Sequence, residues 1–196
     1  MKITKVLLAG GSATSVAVLA TVTALTTLAT VTVLAAPAVA QESPGSAVTR
    51  SGTTVHVQAR DNVVNGIRVG IDPRSGHLIV EDDARIAVGR GCMPMSGTDG
   101  TAVDCGPATG MGGVTRLNVS MGNFGDSFFS TAPVNTSVDA GTGGDFVRTG
   151  GGNDSIKLRD GVRGNDAVSC GSGGNDQVVG EAGDTITPDC ERQGRF

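Results

Sequence analysis

Six aspartates recur at one place in a repeated pattern in the second half of the chain. Asp126, Asp145, Asp154, Asp166, Asp176 and Asp184 each precede a large apolar side chain by two positions: Phe128, Val147, Ile156, Val168, Val178 and Ile186. Read in nine-residue frames, the chain gives AGTGGDFVR (140–148), TGGGNDSIK (149–157), GVRGNDAVS (161–169), GSGGNDQVV (171–179) and VGEAGDTIT (179–187). A worn copy, MGNFGDSFF, stands at 121–129. Residues 139–191 carry ten acidic against four basic side chains, a local charge of −6. Rows of carboxylates facing turn carbonyls make a hard-oxygen ligand set of the kind Ca²⁺ takes in six- to eight-fold coordination. No histidine lies in these frames, so imidazole-seeking metals match poorly. The chemistry expected of these residues is therefore calcium binding.

The elements needed to position such ligands follow from the same pattern. A short D-x-U-x stretch, where U is the apolar residue, suits a brief strand with Asp and U on one face. The preceding glycines must turn sharply, and the turn backbone is assigned to Gly141, Gly143, Gly150, Gly152, Gly161, Gly164, Gly171 and Gly174. Stacked turns place strands about 4.8 Å apart and line the U residues into an apolar column. Stacking also aligns carboxylates that repel one another, so binding of a cation and folding are expected to be coupled.

The frames resemble the RTX, or haemolysin-type, calcium-binding repeat, G-G-x-G-x-D-x-U-x. Four frames match four of the five fixed positions, and those at 121 and 179 match three. The resemblance implies Ca²⁺ held between turns, with Asp145, Asp154, Asp166, Asp176 and Asp184 as ligands and Asp126 as a weaker sixth. Residues 158–160 and Cys170 interrupt the spacing: Asp145 to Asp166 is 21 residues and Asp154 to Asp176 is 22, whereas Asp166 to Asp184 is 18. Some turns must bulge, and one to three ions are expected.

The first forty residues are of another kind. Lys2 and Lys5 precede an uncharged Ala/Val/Leu/Thr run ending in Ala38-Val39-Ala40 before Gln41, which reads as a secretory signal peptide over 1–40. The run is also long enough to span a bilayer, so an uncleaved anchor is the competing reading. Cleavage leaves a secreted, extracellular protein with no membrane attachment, and changes the formal charge from −4 to −6 by removing two lysines. That balance, with no Tyr or Trp, argues against nucleic acid as a partner. Four cysteines suit an exported chain with two disulfides, for which three pairings are possible; neighbour pairing, Cys92 with Cys105 and Cys170 with Cys190, is the simplest.

Residues 41–52 read as a linker. From 53 to 120 the pattern is a small antiparallel β-domain, with strands expected at 54–59, 66–71, 77–82, 85–88, 101–105 and 114–121 between Asn-Gly, Asp-Pro and Asp-Gly turns. The expected fold class is thus all-β: a small antiparallel β-domain, then a short parallel β-roll (an RTX-type solenoid) over 121–191, then a tail at 192–196. The mature chain also resembles small secreted actinobacterial proteins in which a strand of the V-x-x-L-x-V-x-x-G kind, here Val114 to Gly122, leads into RTX repeats and an Asp-Cys-Glu close, here Asp189–Glu191. That resemblance implies calcium ions as partners and leaves any protein or glycan partner open.

Enzyme is the rival reading, and little supports it. There is no H-E-x-x-H and no G-x-S-x-G. His56 and His77 read as strand residues, Glu81-Asp82-Asp83 as a solvated strand end, and Met93, Met95, Met111 and Met121 as gap-fillers or loop residues. The expectation is a non-catalytic protein. A cell-surface adhesion or structural module is the third reading; no long exposed apolar or aromatic stripe is evident from the sequence.

Overall fold

A computed structural model describes residues 43–196; the signal-peptide assignment lies outside the described residues. The elements are strands β1 (Ser46–Ser51), β2 (Thr54–Ala59), β3 (Gly66–Ile71), β4 (His77–Glu81), β5 (Ile86–Val88), β6 (Met93–Pro94), β7 (Ala102–Pro107) and β8 (Arg116–Ser120), followed by β9 (Ser127–Ser130), β10 (Asn135–Asp139), β11 (Phe146–Arg148), β12 (Ser155–Lys157), β13 (Ala167–Ser169), β14 (Gln177–Gly180), β15 (Thr185–Ile186) and β16 (Arg192–Arg195). Among the described residues no helix is long and apolar enough to cross a membrane.

The strands form two eight-stranded sheets. The first runs β16-β14-β12-β10-β8-β2-β1-β5 and the second β15-β13-β11-β9-β3-β4-β7-β6. Both are mixed. The β1–β2 and β3–β4 hairpins are antiparallel, as is the β4–β7–β6 ladder, while β2 with β8, β3 with β9 and every later pair are parallel.

Alternation explains which faces are buried. In β2, Val55, Val57 and Ala59 point inward while His56 and Gln58 point out. Register then stacks the inward residues: Val57, Val119, Val138, Ile156 and Val178 in the first sheet, and Ile67, Phe128, Val147, Val168 and Ile186 in the second. These rows close on one hydrophobic core that also takes Leu78, Val80, Val103 and Leu117.

This architecture corrects the expected fold class. A small antiparallel domain followed by a separate RTX-type parallel β-roll would give two bodies. Instead, β2 and β3 are interior strands of the same mixed sheets that contain the repeats, and one core serves both. The physical reason lies in the lead segment: β8 and β9 pair with the free edges of its hairpins, which extends both sheets and brings the hairpins' apolar faces onto the core that the repeats share. Two boundaries shift with it. Ser46–Ser51, read as linker, is strand β1, with Val48 fully buried; the terminal tail supplies β16, paired with β14. The interrupting residues Leu158 and Cys170 are core residues, so the irregular spacing accommodates apolar packing.

Glycine is required where successive turns touch. A Cβ on Gly143, at φ 139°, would come 1.7 Å from the Phe124 carbonyl oxygen, and one on Gly141 would come 1.8 Å from that of Gly122. Of the eight glycines assigned to turns, Gly150 and Gly174 alone lack a positive φ.

Candidate functional site

The six aspartates all point inward and are almost fully buried. What meets each carboxylate is a backbone N–H of a neighbouring turn. In the row leading into the second sheet, Asn65 N donates to Asp126 Oδ1 (2.7 Å), Asp126 N to Asp145 Oδ1 (2.8 Å) and Asp145 N to Asp166 Oδ1 (2.8 Å). Gly164 N donates to Asp184 Oδ1 at 3.1 Å. In the row leading into the first sheet, Thr136 N donates to Asp154 Oδ1 (2.7 Å) and Asp154 N to Asp176 Oδ1 (2.8 Å). Glu191 closes that row by accepting from Asp176 N at 2.7 Å. Aspartates two frames apart are thus brought together, by amide-to-carboxylate hydrogen bonds worth more than neutral ones.

This geometry overturns the metal assignment. A calcium cage needs several carboxylates converging on one point, but here each carboxylate faces an amide hydrogen and the groups run in file. Among the described residues no group of three or more His, Cys, Asp or Glu side chains could hold a metal ion. Asp126, Asp145, Asp154, Asp166, Asp176 and Asp184 are therefore not assigned as ligands, and Ca²⁺ is withdrawn as cofactor and partner. Two disulfides also fasten the chain, in contrast to a flexible repeat that awaits an ion.

The electrostatics of the rows are unusual. Oδ2 of Asp126, Asp145, Asp154, Asp166 and Asp176 is buried without a protein hydrogen-bond partner. Desolvation, only partly offset by the backbone amide bonds, raises Asp126, Asp145 and Asp166 to about 6, and raises Asp154 and Asp176 also. Neighbouring carboxylates add to the rise. Asp160 and Asp189 behave oppositely: burial pushes them up, but hydrogen bonds from Asn165, Val162 and Gly143, and from Thr187, Ser169 and Gly171, outweigh it and lower them.

The cysteines form Cys92–Cys105 and Cys170–Cys190, all four buried. The second ties the start of the last full turn to the segment entering β16.

The residues considered for catalysis are scattered. His77 Nδ1 lies 2.9 and 3.0 Å from the two carboxylate oxygens of Asp104, which also accepts from Gly106 N. Ser75, the nearest hydroxyl in sequence, hydrogen-bonds Asp72. Within Glu81-Asp82-Asp83 the side chains diverge: Asp82 is buried against Asn65, Asp83 pairs with exposed Arg68 at 2.7 Å, and Glu81 is exposed. His56 lies on the outer face of the first sheet, in line with Asn118, Ser137 and Ser155. Met121 is fully buried, whereas Met93, Met95 and Met111 are exposed.

Sequence reasoning missed the outer face of the second sheet. Of five phenylalanines only Phe128 is in the core; Phe124, Phe129, Phe146 and Phe196 are 49%, 38%, 50% and 70% exposed. Phe129 and Phe146 stand on adjacent strands, and the Arg148 guanidinium lies 5.3 Å from the centre of the Phe129 ring. The signal was present: positions on either side of each inward U residue must face out. Glu191 and Asp160 were also missed, because neither sits at a repeat position.

No family model matches the chain, and no curated protein or solved structure matches it. The expected RTX kinship therefore finds no support from these comparisons, and the mixed two-sheet fold, with no metal-holding cluster among the described residues, departs from it.

Proposed function

We propose that this chain is an exported, non-catalytic β-structural module whose buried acidic residues serve its own fold. The observation that carries the reading is the pair of carboxylate rows: the densest acidic groups of the chain are committed to backbone amides of neighbouring turns. Carboxylates held in this way are shielded from substrate and cannot act as general acid or base on an outside molecule. Two disulfides support an oxidising destination, where such bonds persist. The signal-like first forty residues agree with that destination.

The test is expression of the full chain in a secreting host. Recovery from the medium with a new N-terminus near Gln41 is expected; retention of the uncut chain in the membrane fraction would refute export. The secreted protein is then assayed on ester, peptide and glycoside substrates. Turnover that disappears in His77→Ala or Asp104→Ala would overturn the non-catalytic reading; no turnover above the blank is the expected result.

A further inference from the structure

The chain crosses between the two sheets along two long edges, and the edges differ. Where it passes from the first sheet into the second, the turns at 60–65, 122–126, 141–145, 159–165 and 180–184 lie in file. Asn62 N donates to Asn123 Oδ1, Thr142 N to the Gly122 carbonyl, Gly143 N to Asp160 Oδ2 and Gly164 N to Asp184 Oδ1. Val64, Phe124 and Val162 stand out from these turns into water, and Phe146 does so at the head of β11. The repeat turns of the opposite edge, 131–134, 149–154, 170–176 and 187–191, expose no large apolar side chain and carry no Lys or Arg. Phe124 is the sharpest case. It takes a positive φ of 77° at the frame position that Gly143 fills in the next repeat, yet half of its surface stays exposed. A strained backbone that yields no packing points to a use outside the fold.

Arg60, Arg159, Arg163 and Arg195 belong to the same edge, all exposed, and among the described residues none of them is in an ion pair. The Arg159 guanidinium lies 5.0 Å from the centre of the Phe196 ring, and Arg195 Nη1 donates to the Asp184 carbonyl at 2.7 Å. Two carboxylates of the edge lie outside the core, Asp61 and Asp160, and Asp160 is held by Gly143, Val162 and Asn165. Those of Asp126, Asp145, Asp166, Glu181 and Asp184 are buried. The amides of Asp126, Asp145, Gly143, Gly161 and Gly164 all donate within the fold. Loss of water from this edge therefore leaves none of those donors unpaired.

We infer that this edge docks on the surface of a bilayer that bears anionic phospholipid. Exposed arginines are attracted to such a surface, and apolar side chains beside them enter the boundary between headgroups and acyl chains. The partner has to accept apolar side chains that project singly from successive turns, and a soft, extended boundary does so. Protein hot spots instead gather their anchors in a packed centre. Val64, Phe124, Phe146 and Val162 are strung over four turns, and the grooves on the two sheet faces are lined by none of them. A soluble polyanion would engage the arginines and leave the apolar side chains in water. Bilayer docking alone uses both halves of the contrast between the edges.

The test is co-sedimentation of residues 41–196, which hold the whole described core, with vesicles of phosphatidylcholine alone or mixed equally with phosphatidylglycerol. It is run at about pH 5, below the value of about 6 to which burial raises Asp126, Asp145 and Asp166, so that exposed groups set the charge of the edge. Pelleting with the anionic vesicles, and much less with the neutral ones, is expected. Arg163→Ala and Phe124→Gly should each lower the partition about fivefold, as loss of one arginine near an anionic surface does. Melting temperatures should be no lower than wild type, since both side chains face water and glycine suits the positive φ at 124. Arg116→Ala, on the outer face of the first sheet, leaves binding intact. No pelleting with anionic vesicles, equal pelleting with neutral ones, or an equal loss in Arg116→Ala would overturn the inference. So would wild-type binding by Phe124→Gly beside a loss in Arg163→Ala, which would make the partner a soluble polyanion. None of these outcomes bears on the non-catalytic reading above, which rests on the buried rows.

Discussion

The two halves of the molecule reach the same core by different means. Strands β1–β4 are five or six residues long and mostly send two or three apolar side chains inward each, as in Val55, Val57 and Ala59 of β2 or Leu78 and Val80 of β4. Strands β11, β12 and β13 are three residues long and send in one each: Val147, Ile156 and Val168. One branched aliphatic side chain contributes about 1.5–3 kcal/mol on burial, less than the roughly 1–2 kcal/mol per residue spent ordering a whole turn. The repeat half also sends its aspartates inward, where each accepts a hydrogen bond from a neighbouring backbone amide while burial disfavours its charged form. The lesson is that an aspartate can occupy a core position when a neighbouring backbone amide meets its carboxylate, with a cost that appears once the group is ionised.

The largest effect that separates the halves is pH. Asp126, Asp145 and Asp166 lie near 6 when folded and near 3.8 as ordinary carboxylates, so between those values the folded state holds protons that the unfolded chain has released. Stability from these groups is fully present below about pH 4 and falls as pH rises through about 6. Each unit is about 1.4 kcal/mol, so the three together weaken the fold by several kcal/mol between pH 4.5 and 7.5. Melting temperature should drop by on the order of 10 °C over that range, at roughly 2–4 °C per kcal/mol. Amide exchange should accelerate first in β9, β11 and β13. A melting temperature that is flat, or rises, across the range contradicts the burial of these carboxylates.

Next in size is the terminal staple. Replacing both Cys170 and Cys190 by Ser releases a 20-residue loop and costs about 3 kcal/mol. The loss should be localised: β14–β16 should open to exchange while β1–β4 stay protected. Uniform loss through both halves would show that they unfold as one unit.

Asp145→Ala leaves Asp126 N buried without its acceptor and should cost about 1–3 kcal/mol. Asp145→Asn keeps an acceptor and carries no charge, so at pH 7.5 it should fall well short of the alanine loss and flatten the pH response. Equal denaturation midpoints for the two variants would remove the hydrogen bond from the account.

The smallest effect belongs to Gly174, which lacks a positive φ and whose added Cβ would meet nothing closer than Asn153 Oδ1 at 3.8 Å. Gly174→Ala should change stability by less than about 1 kcal/mol. Gly143→Ala, driven against the Phe124 carbonyl, should be far more damaging, as urea titration of the two variants would show.

Much of the strand pattern was legible because alternation is a local property. The stretches 54–59 and 66–71 are β2 and β3, and Phe128, Val147, Ile156, Val168 and Val178 all point inward. Strand β1 was not legible: SAVTRS offers one large apolar residue, Val48, and becomes a strand only by pairing with β2 and β5. Glu191 was hidden for a related reason. Its place at the end of a carboxylate row depends on the chain passing back beneath Asp176, which no spacing announces.

The sequence by itself determined an all-β chain with Asp and its apolar partner on one face, because a strand's side chains alternate whatever it packs against. Only the tertiary structure decided what the carboxylates touch. Whether an aspartate row converges on an ion or threads amide hydrogens depends on the offset between stacked turns and on the sheets they join. Here the lead strands enter both sheets, Leu158 and Cys170 fill the core, and each turn lays an N–H against the next carboxylate. Those offsets arise from contacts between residues far apart in the chain, so the same Gly/Asp pattern that suggested calcium became a hydrogen-bonded interior.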